Sequence, residues 1–142
     1  MKNKSINDFI IIVLLIISTI IGNISFASSD LQIIYHGKHI NLNNPPILEN
    51  GVIFIPLREL CEEVGFEVGY DDIEKIALVN KDNIEMKLPI NKSKIYINGL
   101  LIDLKNESFI KDGKIYVSIR DFFESLLIDV NWDAKNKAVI IG

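Results

Sequence analysis

Apolar and polar residues alternate along most of the chain after residue 30, and this alternation predicts short β-strands separated by tight turns. Four dipeptides ending in glycine punctuate the pattern: His36-Gly37, Asn50-Gly51, Asn98-Gly99 and Asp112-Gly113. Asn and Gly both accept positive φ angles, which a two-residue type I′ hairpin turn requires at both central positions. Each dipeptide is therefore predicted to close a β-hairpin.

Two segments carry a helical period instead. Their apolar residues fall at i, i+3, i+4 and i+7, which predicts one buried face each: Leu57, Leu60, Cys61 and Val64, then Ile119, Phe122, Phe123 and Leu126. Pro56 suits the first turn of the first helix, because its missing N–H would be unpaired there. Ser118 is predicted to cap the second helix through its hydroxyl.

The ends of the two helices look different in sequence. Gly65 follows the first helix and is predicted to end it as a left-handed residue. Leu127 stands at the corresponding place after the second helix. Because leucine disfavours that conformation, we expect the second helix to end in another way.

The chain resembles itself at an offset of 62 residues. Residues 31–80 align without a gap on residues 93–142, and twelve of the fifty positions are identical. Two copies of one strand–helix–strand unit are therefore predicted. The resulting fold is α+β: a twisted antiparallel β-sheet with two short helices, in one compact domain.

One further strand is predicted at residues 84–88, between the two copies. It has no counterpart in the repeat that would fix its pairing. We expect it to lie at a sheet edge, where unpaired N–H and C=O groups template association with another chain.

A set of turn, helix and strand-end residues forms the structural motif of each copy: Gly51, Pro56, Arg58, Gly65, Tyr70 and Asp71 in the first, and Gly113, Arg120, Trp132 and Asp133 in the second. In this order they resemble the copper amine oxidase N-terminal-like domain, also called the stalk domain, of secreted bacterial proteins. The resemblance covers about residues 31–142. It implies an α+β fold, export, and a non-catalytic role as a stalk or surface module. The second copy departs from the pattern at Ser118, Ile119 and Leu127.

The resemblance does not imply copper chemistry, because that chemistry belongs to a separate, larger domain with a modified tyrosine and three histidines. This chain has two histidines in total. His36, His39 and Cys61 are the conceivable metal ligands, but the second copy has no ligand at the matching positions. We therefore expect no metal, no cofactor and no catalytic residue, with Cys61 in the core.

Four other residues invite a functional interpretation. Asp71 and Asp72 are predicted to form a solvated turn rather than a glycosidase pair. Tyr70 and Trp132 are flat rings suited to stacking on sugars, but their alternation with apolar neighbours predicts burial.

Arg58 and Arg120 oppose the helix macrodipole, so a carboxylate nearby should offset each of them. The candidates are Glu62 and Glu124 one turn later, or Asp71 and Asp133 thirteen residues later. We expect the aspartates, since an arginine–carboxylate fork would tie each helix to the following turn. The alternative is that both arginines are solvated and have no such partner.

Residues 1–27 are predicted to be a secretory signal peptide. Lys2 and Lys4 precede an uncharged run over residues 9–21, and Ser25 and Ala27 are the small residues of a cleavage site. The alternative is a retained segment that anchors the chain to a membrane. The domain would then comprise residues 28–142, secreted or associated with the cell envelope.

The charge pattern bears on partners. The formal net charge is −4 and no basic patch stands out, so nucleic acid is not an expected partner. The sequence favours a non-catalytic module that binds a cell-envelope protein or polysaccharide, with self-association as a further route. The alternative is a small secreted regulator or inhibitor that docks on one envelope enzyme.

Overall fold

A computed structural model describes residues 31–142, which form thirteen short strands and two helices. The strands of the first half are β1 (Gln32–Tyr35), β2 (Lys38–Ile40), β3 (Ile47–Glu49), β4 (Val52–Pro56), β5 (Glu67–Asp71), β6 (Ile76–Lys81) and β7 (Ile84–Pro89). Those of the second half are β8 (Lys94–Ile97), β9 (Leu100–Asp103), β10 (Phe109–Lys111), β11 (Lys114–Ser118), β12 (Val130–Asp133) and β13 (Ala138–Ile141). Helix α1 spans Leu57–Glu63 and helix α2 spans Ile119–Ser125. The α+β class is confirmed; the predicted signal peptide lies outside the described residues.

The strands form three sheets rather than a single one. Their strand orders are β12-β13-β1-β2, β10-β11-β4-β3 and β5-β6-β7-β8-β9. Every pairing is antiparallel except that of β1 with β13, which is parallel. A parallel pair needs a long connection, and here nearly the whole described chain provides it. No helix within residues 31–142 is long and apolar enough to span a membrane.

The four predicted hairpin turns are confirmed. Both residues of each dipeptide have positive φ, from 46° at His36 to 81° at Gly99. Gly51 and Gly113 (φ 77° and 72°) thus provide the left-handed backbone conformation that the β3–β4 and β10–β11 turns require.

The β4–β11 pair joins the two halves of the chain. Ile55 lies opposite Val117, with Phe54 opposite Ser118 on one side and Pro56 opposite Tyr116 on the other. Ile55 and Val117 correspond under the 62-residue offset, so the register is symmetric about this pair. The element order ββββαββ occurs over β1–β6 and again over β8–β13; duplication of an ancestral unit stays a prediction.

The expectation that residues 84–88 form a sheet edge was wrong. Strand β7 lies in the middle of the five-stranded sheet, paired with β6 on one side and with β8 on the other. Met86 and Leu88 are fully buried, so one face of β7 belongs to the core. The exposed apolar edge of this sheet is β9, where Leu100 and Leu101 face solvent.

The core lies between the sheets and the apolar faces of both helices. Leu57, Leu60 and Cys61 of α1 are fully buried, and Phe122 and Phe123 of α2 likewise, as their spacing predicts. Burial raises the pKa of the Cys61 thiol far above its usual value. The thiol is therefore protonated and unreactive, as expected of a core residue.

Both helices end in the same motif, contrary to expectation. In α1 the N–H of Gly65 (φ 84°) donates to Glu62 O, and the N–H of Phe66 donates to Cys61 O. In α2 the N–H of Leu127 donates to Glu124 O, and that of Ile128 to Phe123 O. This is a Schellman motif in each case, and Leu127 adopts the left-handed conformation with φ 60°. The bonds that close the helix outweigh the steric strain.

This strain predicts that Leu127→Gly stabilises the domain. A leucine side chain in the left-handed region costs roughly 1–2 kcal/mol of stability, which the substitution removes. Glycine loses more backbone entropy on folding, and this offsets roughly 0.5–1 kcal/mol of the gain. Since 96% of Leu127 is exposed, little packing is lost. We expect a gain of about 1 kcal/mol, or about 4 °C in Tm, by thermal unfolding.

Gly65→Ala is the matched control. A Cβ there would meet Lys81 Nζ at an ordinary 3.5 Å, so its effect isolates backbone strain. We expect it to lower the stability by about 1 kcal/mol. Unchanged stability in both variants would show that neither helix end is strained.

Candidate functional site

A groove of about 860 Å³, which we call the tryptophan groove, opens on one side of the domain. It lies between the β3–β4 hairpin (48, 51–53), the start of α2 (118–121) and β12 (130–132), with residues 31, 46, 105, 106, 134, 137 and 139 completing it. A smaller groove of about 310 Å³, the tyrosine groove, lies between the β10–β11 hairpin (110, 113–115), the start of α1 (56–59) and β5 (68–70). Each groove combines a hairpin from one half of the chain with a helix and strand from the other.

The aromatic rings at strand ends are exposed, so the prediction of their burial was wrong. Trp132 is 48% exposed and lines the tryptophan groove; Tyr70 is 36% exposed and lines the tyrosine groove. Strands β12 and β5 are edge strands, and the ring of each faces the open groove where no further layer covers it. Val130, two residues before Trp132, is buried.

The two motif arginines do not pair with the motif aspartates, contrary to expectation. Arg58 Nη1 donates to Val68 O at 2.8 Å and lies 3.5 Å from Glu62 Oε1. Arg120 Nη1 lies 3.2 Å from Glu124 Oε1. Each arginine thus uses the glutamate one helical turn later, and both remain largely exposed.

The aspartates are held by their own turns, which explains why they do not reach the arginines. Asp71 Oδ1 accepts the N–H groups of Ile73 and Glu74, both at 2.9 Å. Asp133 likewise accepts from Lys135 and Asn136, and the bonds from Asn136 lower the pKa of the Asp133 carboxyl. A hydrogen bond from the local backbone fixes only the short aspartate side chain. A fork to an exposed arginine would also have to fix the long arginine side chain, which costs more conformational entropy.

The ten motif residues divide between the grooves and the local turns. Gly51, Arg120 and Trp132 line the tryptophan groove; Pro56, Arg58, Tyr70 and Gly113 line the tyrosine groove. Gly65, Asp71 and Asp133 serve the local turns described above and line neither groove. Pro56 lies one residue before α1, at its N-cap, whereas the predicted hydroxyl cap of α2 is confirmed by a 3.2 Å bond from the Asp121 N–H to Ser118 Oγ.

Two carboxylates, one in each half of the chain, hold loops in place and were not predicted from the sequence. Asp121 is only 5% exposed, and its Oδ2 accepts from the backbone N–H of Asn106 at 2.8 Å and from its Nδ2 at 3.0 Å. Glu59 binds Asn44 in the same way in the other half of the chain. Asn44 and Asn106 are identical under the offset, which was the available signal. Each carboxylate fixes a loop against the helix start.

The metal-ligating residue types are spread over the described domain. Within residues 31–142 no group of three or more His, Cys, Asp or Glu side chains is placed to hold a metal ion. His36 and His39 are exposed beside the β1–β2 turn, and Cys61 is buried away from both grooves. What the grooves offer is an exposed ring, a guanidinium and apolar walls.

Comparison with known families accounts for this architecture. Residues 34–141, most of the chain, match the family model of the copper amine oxidase N-terminal domain. A comparison with curated protein sequences gives no match. In copper amine oxidases this N-terminal domain is the non-catalytic one. The chain therefore belongs to the copper amine oxidase N-terminal domain family.

Proposed function

We propose that the protein is an exported, non-catalytic binding module that holds an extended, acidic segment of a partner protein in the tryptophan groove. The observation that carries the proposal is Trp132, a half-exposed indole that faces a groove of about 860 Å³. Concave sites of this size with an exposed aromatic ring are typical of ligand binding. Export to the cell envelope rests on the predicted signal peptide at residues 1–27.

The charges of the groove favour an acidic ligand. Its lining includes the cations Lys105, Arg120 and Lys137, although the chain as a whole is acidic. Its one carboxylate, Asp121, already accepts two bonds from Asn106. The ion pairs of Lys105 and Arg120 with Glu124 are solvent-exposed, so they contribute little and exchange readily for a ligand carboxylate.

The walls of the groove favour an extended peptide over a polysaccharide. They are largely apolar, and two free strand edges, β3 and β12, border them. Glu49 and Val52 close the two-residue turn as a hydrogen-bonded pair, so the N–H and C=O groups of Leu48 point away from β4. Leu48 is 73% exposed and lines the groove. A peptide strand can pair with such an edge and place apolar side chains against the walls.

Trp132 is the only tryptophan in the chain, so its fluorescence reports this groove alone. The probe is a blocked hexapeptide that alternates glutamate and valine. We expect its binding to shift the emission of Trp132 to shorter wavelength, because the indole loses contact with water. Affinity should fall with ionic strength, since exposed cations contribute to it. By calorimetry, Trp132→Ala should weaken binding in this groove at least about a hundredfold, as for an aromatic hot spot.

Two controls accompany this measurement. Replacing glutamate by lysine in the hexapeptide should abolish binding, and Leu100→Ala on the β9 edge should leave it unchanged, because Leu100 is exposed and lines neither groove. Fragments of a carboxylated polysaccharide serve as the competing probe. An emission shift with those fragments but not with the peptide would mean that the ligand is a glycan and not a peptide. No response to either probe would refute the proposal.

A further inference from the structure

We infer that the tyrosine groove is a second site for the same class of ligand, so that the domain binds two extended acidic segments at once. This inference rests on the function proposed for the tryptophan groove. All eleven residues that line the tyrosine groove have counterparts, 62 positions away, that line the tryptophan groove. One type of site is therefore built twice from equivalent positions.

The residues that matter for binding keep their chemistry in both grooves. Tyr70 corresponds to Trp132, and both rings are partly exposed. Arg58 corresponds to Arg120, and both are exposed cations. The carboxylate in the lining is also engaged in both, since Glu59 binds Asn44 as Asp121 binds Asn106. Each groove also has more cations than carboxylates in its lining: Lys105, Arg120 and Lys137 against Asp121 in one, and Arg58 and Lys114 against Glu59 in the other.

The strand edges correspond as well. Ile110 of β10 is 48% exposed and takes the place of Leu48 of β3. Lys111 and Lys114 close the β10–β11 turn, so the N–H and C=O groups of Ile110 also point away from the neighbouring strand. Strand β5 forms the opposite edge, as β12 does in the other groove.

The tyrosine groove should be the weaker of the two sites. Its volume is about 310 Å³, whereas that of the tryptophan groove is about 860 Å³. The tryptophan groove also has seven lining residues whose counterparts do not line the tyrosine groove. Arg58 also donates to Val68 O, so the backbone acceptor two residues before Tyr70 is already used. We expect its affinity for one segment to be about tenfold lower.

The placement of the grooves makes the domain a tether. Strands β3 and β10 are the two outer strands of the sheet β10-β11-β4-β3, so the grooves lie at its opposite edges. The symmetric pair Ile55–Val117 lies at the centre of that sheet. A domain with two such sites links two segments of one partner or two partner molecules, and a tandem ligand that reaches both gains avidity.

The experiment is a titration with the same hexapeptide, which measures stoichiometry by calorimetry. We expect two sites in the unmodified domain, one in Trp132→Ala, one in Tyr70→Ala and none in the double variant. Both rings are exposed, so the variants should melt as the unmodified domain does. For direct observation, Tyr70→Trp combined with Trp132→Phe moves the only indole into the tyrosine groove, where the peptide should again shift its emission.

The outcomes separate the two proposals. One site in the unmodified domain, lost in Trp132→Ala and unaffected by Tyr70→Ala, would overturn the second site and leave the function of the tryptophan groove intact. No binding in any variant would overturn both. Two sites that both persist in the double variant would place binding outside the grooves and likewise refute the inference.

Discussion

Removal of residues 138–142 is expected to unfold the domain, because it deletes a strand from the middle of a sheet. Strand β13 lies inside its sheet, paired with β12 on one side and with β1 on the other. Val139 and Ile141 are buried, and their side chains alone contribute roughly 3–6 kcal/mol. Loss of the strand also leaves β12 without a partner and leaves β1 paired only with β2. The total approaches the roughly 5–15 kcal/mol by which domains are stable.

Far-UV circular dichroism and thermal unfolding measure the result. We expect the truncated protein to lack a cooperative transition. Removal of Gly142 alone is the control, because it deletes one exposed residue and a single backbone bond to Asp129 O. A cooperative melt after removal of residues 138–142 would show that β13 is dispensable.

The same pairing determines how the two halves of the chain depend on each other. Strand β1 from the first half completes the sheet of the second half, and β4 pairs with β11 across the middle. Each half therefore depends on the other for strand pairing, and each helix also packs on a strand of the other half. The domain should unfold in one step.

Local chemistry was predictable from sequence because it depends on near neighbours. The four turns follow from dipeptides such as Asn98-Gly99, whose φ preferences are intrinsic. The buried faces of both helices follow from the 3.6-residue period alone. The end of α2 was mispredicted because the two backbone bonds of the Schellman motif outweigh the conformational preference of Leu127.

Long-range partners were not predictable in the same way. The position of β7 in its sheet depends on the strands that flank it. Edge strands and central strands can both have one buried face, so the alternation of apolar and polar residues does not distinguish them. The grooves escaped prediction because each joins the two halves of the chain. Trp132 and Leu48 are 84 positions apart in sequence but line one groove.

Asp121→Ala is expected to destabilise the domain by roughly 3 kcal/mol. The Asp121 carboxylate is buried and accepts both Asn106 donors, and no cation neutralises it in these contacts. Truncation leaves the partly buried N–H of Asn106 unpaired, which costs roughly 1–3 kcal/mol. The loss of two hydrogen bonds to a charged acceptor adds to that cost. Chemical denaturation measures the change in the free energy of unfolding.

Asp121→Asn tests the cause, because it keeps one acceptor oxygen in nearly the same volume. We expect it to recover about half of the loss, while Asp103→Ala on exposed β9 should change stability by less than about 0.5 kcal/mol. Asn106→Ala and the double variant complete a cycle, in which the two substitutions should be less than additive because they remove the same bonds. Additive effects, or an Asp121→Ala variant as stable as the unmodified domain, would mean that this carboxylate does not hold the loop in place.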